Sequence, residues 1–330
     1  MSLKDLNKTQ LAAVEACDGP VLIFAGAGSG KTRVLSHKMY YLIKEKKYKP
    51  ENILSVTFTN KAAKEMKERV MGLLNTNDLP ITIGTFHSVC ARLLRKEAKS
   101  LNFSSHFAIY DVQDQLDLLK VILKELDIKK DQLTPNQVRN KISYFKSKMI
   151  SPEAQLRKSR TIIEKRIAEI FSIYQKSLKE NDALDFDDLL LHPLELFENN
   201  LKTLEKYQRK WKYILVDEYQ DTNRPQFYFL TKLAEKHQQI CVVGDDDQSI
   251  YGWRGADVTN ILDFEKFFPA CRIFTLEKNY RSTQQILDAA TAVVTHNDRR
   301  AKKQLIAENG NGDKLGLIET RDELEEADAI

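Results

Sequence analysis

The sequence is poor in residues that form covalent or metal-bound cross-links. Its 330 residues include four cysteines, which are far apart and form no CxxC pair, and six histidines that show no metal-ligand spacing. We therefore expect free, buried thiols in a reducing compartment rather than disulfides or a bound metal. The four cysteines are Cys17, Cys90, Cys241 and Cys271.

Long apolar runs, internal repeats and low-complexity tracts are also missing. No apolar run approaches the roughly 20 residues that a membrane-spanning helix needs, and the polar residues 1–5 lack the form of a secretory signal. Hydrophobic residues make up 42% of the sequence and charged residues 30%, as in an ordinary globular protein. We expect about two domains, a cytoplasmic location and no membrane partner.

The most informative segment is residues 25–32 (AGAGSGKT), which follow an apolar run and precede a helical pattern. A strand, a glycine-rich turn and a helix start form a P-loop, where backbone N–H groups and the helix dipole hold phosphate. Ala25 stands where the strict pattern has glycine, but Gly28 and Gly30 still supply the tight turn. We predict that Lys31 reaches the β- and γ-phosphates of ATP and that Thr32 ligates Mg²⁺. The predicted loop residues are Ala27, Gly28, Ser29, Gly30, Lys31 and Thr32.

A second signal is the apolar run 213–216, which ends in Asp217 and Glu218. The strand ends of a parallel α/β sheet meet at one crevice, where the P-loop also lies. There Asp217 would hold Mg²⁺ through water, and Glu218 would orient and deprotonate the attacking water. The alternative is a solvated acidic strand end, which the nearby P-loop makes the weaker interpretation.

The distribution of apolar residues predicts an α/β fold. Helical patterns separate most of the strand candidates, which indicates a parallel sheet covered by helices on both faces. Between about residues 95 and 186 the strand signal disappears and periods of three to four predict a helical insertion. Further on we expect a helix to about residue 297, a strand at 315–318 and an acidic helix start near 323. The strand candidates are 21–25, 53–57, 81–83, 213–217, 240–244 and 272–276.

Positive charge is concentrated between residues 139 and 166. This segment holds nine lysines and arginines against two glutamates, although the whole chain has a formal net charge of only +4. Tyr144 and Phe145 interrupt the run. A nucleic-acid contact and a plain solvated face are equally compatible with this pattern.

Several motifs then occur in one order, and together they make the chain closely resemble superfamily 1 DNA helicases of the UvrD/Rep type. The resemblance covers essentially the whole chain. Its motifs are residues 6–14 (LNKTQLAAV), 25–32, 57–63 (TFTNKAA), 84–88 (GTFHS), 184–189 (LDFDDL), 216–222 (VDEYQDT), 243–256 (VGDDDQSIYGWRGA) and 276–282 (LEKNYRS).

For ATP, the resemblance implies roles outside the P-loop. Gln10 matches the residue that reads the adenine edge, and Arg33 and Tyr280 match the pair that stacks on the adenine ring. Gln248 matches the glutamine that senses the γ-phosphate, and Arg281 matches an arginine that neutralises charge on that phosphate.

For DNA, the resemblance implies a single-strand site built on aromatic side chains. Tyr251 and Trp253 match base-stacking residues, and Phe58 and His87 match further single-strand contacts. Phe58 has the alternative of ending a buried strand, and His87 that of a structural histidine. Residues that would contact phosphates or link the loops are Thr59, Asn60, Lys61 and Arg254.

The family motor has two RecA-like P-loop NTPase domains with ATP between them. By this resemblance we expect a first RecA-like domain at 1–95 and 187–278, an all-helical subdomain at 96–186, and the start of a second RecA-like domain at 279–330. Because the later motifs are missing, we expect a fragment that binds ATP–Mg²⁺, hydrolyses it slowly and does not unwind DNA.

The parent activity implied is ATP-driven 3′-to-5′ translocation on single-stranded DNA with strand separation. Expected partners are single-stranded DNA, its junctions with duplex, and repair or replication proteins, while self-association stays open. The alternatives are a regulatory module that binds nucleotide and DNA without turnover, and the motor half of a helicase–nuclease.

Overall fold

The computed structural model describes residues 3–129 and 132–330. Its strands are β1 (Val21–Ala25), β2 (Ile53–Thr57), β3 (Thr82–Thr85), β4 (Ala108–Tyr110), β5 (Ala183–Asp185), β6 (Tyr213–Val216), β7 (Ile240–Gly244), β8 (Arg272–Leu276), β9 (Lys278–Asn279) and β10 (Ile306–Ala307). Its helices are α1 (Lys8–Glu15), α2 (Lys31–Lys44), α3 (Asn60–Leu74), α4 (Phe86–Glu97), α5 (Val112–Glu125), α6 (Pro135–Ser147), α7 (Pro152–Lys158), α8 (Ile162–Glu180), α9 (Asp188–Asn199), α10 (Leu201–Lys210), α11 (Arg224–Ala234), α12 (Thr259–Leu262), α13 (Phe264–Phe267), α14 (Gln284–Val294) and α15 (Glu323–Ala329).

The central sheet is parallel, as predicted, and has the strand order β3-β2-β6-β7-β1-β8. Side chains alternate across it because successive residues of a strand point to opposite faces. Leu22 and Leu54 join one hydrophobic cluster, together with residues of α4, α9, α10 and α11. Val21 and Ile53 join a second cluster, with residues of α1, α2 and α3. Both faces are therefore covered, which explains the nearly continuous apolar strands.

The helical insertion has a hydrophobic cluster of its own, built from α5, α6 and α8. Each of these helices begins with a capping box. In this motif the N-cap side chain accepts from the backbone N–H three residues later, and the side chain of that later residue accepts from the N-cap N–H. The prediction of an all-helical segment is nevertheless wrong in one detail, because β4 and β5 form a small parallel pair. Each strand has three residues, too few for an alternating pattern to be visible in the sequence.

The structure also corrects the predicted bounds of three elements and shows that one predicted strand does not form. The third strand is Thr82–Thr85 rather than 81–83, β6 ends at Val216, and α14 ends at Val294. Residues 315–318 are exposed and form no strand, since no described strand pairs with them. The division of the chain into three domain segments stays a prediction.

Two expectations about the whole chain concern thiols and membranes. All four cysteines are free, as expected, but only three are buried, because Cys271 is partly exposed. Among the described helices, none is long and apolar enough to cross a bilayer.

A buried ion-pair network joins the helical insertion to the start of α9. Lys146 Nζ lies 2.7 Å from Asp185 Oδ2 and 2.7 Å from Asp188 Oδ1, and all three side chains are nearly inaccessible. The hydroxyl of Tyr174 donates to Asp185 Oδ2 at 3.0 Å. Burial alone would lower the pKa of Lys146, but the two carboxylates outweigh it and raise that pKa above its ordinary value.

We predict that Lys146→Met lowers the free energy of unfolding by about 3–5 kcal/mol, because it leaves two buried carboxylates without a cation. Lys176→Met is the matched control, since Lys176 forms a surface pair with Glu180; there we expect a change of at most about 0.5 kcal/mol. Urea denaturation measures both values, and equal losses in the two variants would contradict the prediction.

Candidate nucleotide site and nucleic-acid groove

The phosphate-binding loop has the backbone that its glycines predict. Gly28 and Gly30 both take positive φ values, of 70° and 91°, and Gly30 is the N-cap of α2. Ser29 is buried, and its hydroxyl donates to the Gly26 carbonyl at 2.7 Å, which fixes the turn. The turn therefore ends at the N-terminus of α2, an end of a helix that favours anions. Lys31 and Thr32 are the first two residues of α2.

The two acids after β6 lie beside this loop. Lys31 Nζ is 2.9 Å from Glu218 Oε2, and Gln220 Nε2 donates to the same oxygen at 2.8 Å. Glu218 adopts φ 49°, a left-handed conformation that is uncommon outside glycine and typical of functional sites. Burial, together with the charge of Glu218, raises the pKa of Asp217 to about 6. The structure thus brings Lys31, Asp217 and Glu218 together.

Hydrogen bonds of residues 5–10 connect the three residues predicted to contact adenine, namely Gln10, Arg33 and Tyr280. The Gln10 amide nitrogen donates to the Ser29 carbonyl at 3.0 Å, and its oxygen accepts from the Asn7 backbone. Asn7 Nδ2 donates to the Tyr280 hydroxyl at 2.8 Å. The Arg33 guanidinium donates to the carbonyl of residue 5 at 2.6 Å. In this arrangement a base would have to compete with the Ser29 carbonyl for the Gln10 amide.

The segment after β8 crosses directly over the loop. Asn279 Nδ2 donates to the Ala27 carbonyl at 2.5 Å, and the Tyr280 backbone N–H donates to the Gly28 carbonyl at 3.0 Å. A Cβ on Gly28 would lie 2.5 Å from the Cβ of Arg281, so only glycine allows this approach. Arg281 therefore lies next to the P-loop. Asn279 was not predicted as a site residue, although it lies inside the motif 276–282.

Gln248 lies on the turn after β7 and is connected to the acids after β6. Its amide donates to an Asp245 carboxylate oxygen. The Asp245 backbone N–H donates to Gln220 Oε1 at 2.9 Å, and the Gln220 amide nitrogen contacts Glu218. Gln220 is thus a connecting residue that sequence reasoning missed, although it lies in the motif 216–222.

A groove of about 1030 Å³ runs between the sheet edge and the helical insertion. It is lined by all four aromatic residues predicted for DNA, namely Phe58, His87, Tyr251 and Trp253. The rings of Phe58 and Tyr251 stack with centroids 5.2 Å apart, and Tyr251 and Trp253 lie 6.4 Å apart. Trp253 is 75% exposed, as is suitable for a stacking surface.

Phe58 and His87 each had a structural alternative. The strand β2 ends at Thr57, so Phe58 lies beyond it, partly exposed and on the groove. The His87 ring packs against Phe186 at 5.9 Å, and burial lowers its pKa, which favours the neutral imidazole. His87 therefore both lines the groove and has a packing role.

The groove also includes residues from the basic run that sequence reasoning left undecided. Arg139, Tyr144 and Lys148 belong to α6 or its end and line the wall opposite the sheet edge. Gly255 takes φ 86°, and a Cβ there would lie 3.1 Å from the Ser147 side chain. The loop 251–256 therefore closely approaches the helical insertion. The basic run was visible in the sequence, but it lies far along the chain from the aromatic loop, so the sequence did not show that the two share a groove.

Two further predicted DNA contacts, Asn60 and Lys61, lie apart from the groove lining. Asn60 and Lys61 are exposed in the first turn of α3, and Lys61 Nζ is 3.9 Å from Glu65. Among the described residues that line the groove, neither Asn60 nor Lys61 is present. The side chain of Arg254 is outside the described part of the chain.

Comparison with known proteins is consistent with this geometry. Residues 6–269 match the UvrD/REP helicase N-terminal domain, and residues 274–330 match the UvrD-like helicase C-terminal domain. The chain is 46% identical over 328 residues to the ATP-dependent DNA helicase PcrA of Bacillus subtilis, covering 99% of this chain and 44% of that protein. The PcrA proteins of Staphylococcus epidermidis and Staphylococcus aureus are 46% and 45% identical, each over 99% of this chain.

The chain thus spans about 45% of the length of these curated relatives. Both domain models match in sequence order, and together they account for nearly the whole chain. The chain therefore belongs to the UvrD/Rep family of superfamily 1 helicases.

Proposed function

We propose that this protein binds ATP–Mg²⁺ and single-stranded DNA and hydrolyses ATP, and that in the two-domain family motor this hydrolysis drives 3′-to-5′ movement along the strand and its separation from duplex. The main support for the proposal is that the candidate nucleotide site and the aromatic groove lie at the same edge of the central sheet. The Lys31–Glu218 pair follows β1 and β6, and the aromatic groove begins at Phe58 and His87, after β2 and β3. The name of the PcrA relatives, ATP-dependent DNA helicase, supports strand separation, and the 3′-to-5′ direction rests on the family resemblance alone.

At the nucleotide site, Lys31 exchanges partners. Incoming phosphates draw the ammonium away from Glu218, whose Oε2 then keeps only the contact with Gln220. That carboxylate is then able to accept a proton from the attacking water. Thr32 and Asp217 offer the oxygen ligands that Mg²⁺ prefers, Asp217 through water. When bound, Mg²⁺ would neutralise charge on the phosphates.

At the groove, bases stack on the aromatic residues while Arg139 and Lys148 face the phosphates. Two short segments connect the sites. Asp221 lines the groove only three residues after Glu218, and Tyr251 only three residues after Gln248. A shift of either segment on ATP binding therefore changes the groove directly. Single-strand junctions with duplex, and repair or replication proteins, are the partners we propose on the resemblance.

We predict that Glu218→Gln lowers single-turnover ATP hydrolysis by at least about 100-fold, because it removes the general base, while ATP binding is retained. Quench-flow with excess protein, with and without single-stranded DNA, measures the rate. Glu235→Gln, an exposed residue at the end of α11, is the control. A wild-type chain that binds both ligands without turnover would contradict the proposed hydrolysis and favour the regulatory module.

We predict that ATP–Mg²⁺ binding releases protons from Asp217 near pH 6. Its pKa of about 6 means that the free carboxyl is largely protonated at pH 5.5, and Mg²⁺ needs the charged form. Affinity should therefore fall roughly fourfold from pH 7.5 to 5.5. Calorimetry in buffers of different ionisation enthalpy measures the release, which Asp217→Asn should abolish.

Asp221→Asn is the matched control for this proton release. Burial and Glu218 also raise the pKa of Asp221 to about 6, but Asp221 lines the groove instead of the phosphate site. Its variant should keep the proton release. If Asp221→Asn abolished the proton release and Asp217→Asn did not, the protons would come from Asp221, and the prediction would be wrong.

We predict that Trp253→Ala weakens binding of a fluorescent oligo-dT strand by roughly 5- to 150-fold, because base stacking contributes about 1–3 kcal/mol per base. Fluorescence anisotropy gives the dissociation constants. Ile250→Ala is the control, since Ile250 is 70% exposed in the same loop but aliphatic. Equal weakening by both variants would indicate a general effect of the loop rather than stacking.

A further inference from the structure

Three consecutive acids after β7 form what we call the acidic turn, Asp245 to Asp247. Their carboxylate oxygens lie within 4.8 Å of one another. The Lys303 ammonium contacts all three, including Asp246 at 2.5 Å and Asp247 at 2.9 Å. Arg300 binds Asp247 with two nitrogens, at 2.8 and 3.1 Å. Segment 300–303 thus supplies the positive charge that this turn needs.

These contacts are shielded from water. The Lys303 side chain is 3% exposed, and Asp245 and Asp246 are similarly buried. Burial disfavours the charged lysine, but the surrounding carboxylates outweigh that and raise its pKa. Ion pairs in such surroundings are weakly screened by salt, and removing one partner leaves uncompensated charge.

The Asp245 carboxylate accepts hydrogen bonds from three partners, one of which is the Asp247 backbone N–H at 3.3 Å. Gln248 donates to one carboxylate oxygen, and Lys303 donates to the other, which the Asp247 N–H also contacts. The backbone N–H of Asp245 donates to the Gln220 side-chain oxygen, and the Gln220 amide nitrogen donates to Glu218. Glu218 in turn pairs with Lys31. A continuous series of contacts therefore runs from Lys303 to the P-loop lysine.

Segment 299–307 is also attached to the P-loop side by apolar and backbone contacts. A Cβ on Gly26 would lie 2.7 Å from Leu305, so that side chain packs directly on the loop. The strand β10 pairs with β9, which immediately precedes Tyr280. A movement of this segment would consequently affect both the loop and the adjoining arginine, Arg281.

We propose that Lys303 is a positioning residue for Gln248, and that it makes the affinity for the ATP γ-phosphate and the placement of segment 299–307 depend on each other. The inference rests on the proposed ATP site. Without the ammonium, the three carboxylates repel one another and Asp245 turns away. Gln248 then loses the acceptor that fixes its direction.

The test compares binding of AMPPNP and ADP, both with Mg²⁺, because only AMPPNP presents a γ-phosphate group. In Lys303→Met we expect the preference for AMPPNP to fall about fivefold or more, while ADP affinity stays within about twofold of wild type. Lys302→Met is the matched control, since Lys302 is exposed on the adjacent residue and should leave the ratio unchanged. Gln248→Ala combined with Lys303→Met should lose no more than either single variant.

The reciprocal effect provides a second readout. AMPPNP, but not ADP, should slow hydrogen exchange across residues 299–307 in wild type, including the Ala301 amide that donates to Asp246. Gln248→Ala should abolish this difference. If Lys303→Met does not fold, Lys303→Arg keeps the charge but cannot place one nitrogen among three carboxylates, and it should still lower the ratio by at least about twofold.

Three results would overturn the inference while leaving the proposed function intact. They are an unchanged ratio in Lys303→Met and Lys303→Arg, an equal loss of ADP and AMPPNP binding, and an unchanged ratio in Gln248→Ala. A wild-type chain that binds neither nucleotide would instead overturn the proposed function.

Discussion

The parallel direction of the central sheet is the constraint on which the candidate sites depend. When all strands run the same way, the backbone that follows each strand emerges at the same edge. The P-loop follows β1, Phe58 follows β2, and His87 follows β3. The acids and the Gln248 turn come after β6 and β7, in the middle of that edge. Residues far apart in the chain are therefore within hydrogen-bonding distance of one another.

Short segments at this edge carry residues of both sites. Residues 217–223 begin at the phosphate side and end on the groove, and residues 245–253 do the same. Gln220 joins the two segments, because its amide nitrogen contacts Glu218 and its oxygen accepts from Asp245. Because these contacts are buried or partly buried, a displacement at one site has a direct physical route to the other.

The charged residues of the edge are balanced by partners from neighbouring elements. Lys31 is paired with Glu218, and the acidic turn is paired with Lys303 and Arg300. In the helical insertion, Lys146 is similarly enclosed by Asp185 and Asp188. Buried charges without such partners would be costly, so each pairing ties one segment of the chain to another.

Much of the sheet and of the P-loop was predictable, because both depend on local pattern. Apolar runs before glycine-rich or acidic ends indicated β1 and β6, and the strand β7 was predicted with its observed bounds. The pair β4 and β5 was missed because three residues are too few for a period, and residues 315–318 have a strand-like composition but no pairing neighbour. Strand formation requires a partner as well as a suitable sequence.

The sequence by itself determined the family, the phosphate-binding turn and the order along the chain of the six strands of the central sheet, because these depend on contiguous residues. Only the tertiary structure decided that Arg139, Tyr144 and Lys148 share a groove with the aromatic loop. It alone also placed Lys303 among the three acids after β7. The physical reason is that charge and apolar patterns describe local preference, while partners distant in sequence are chosen by how the packed elements meet.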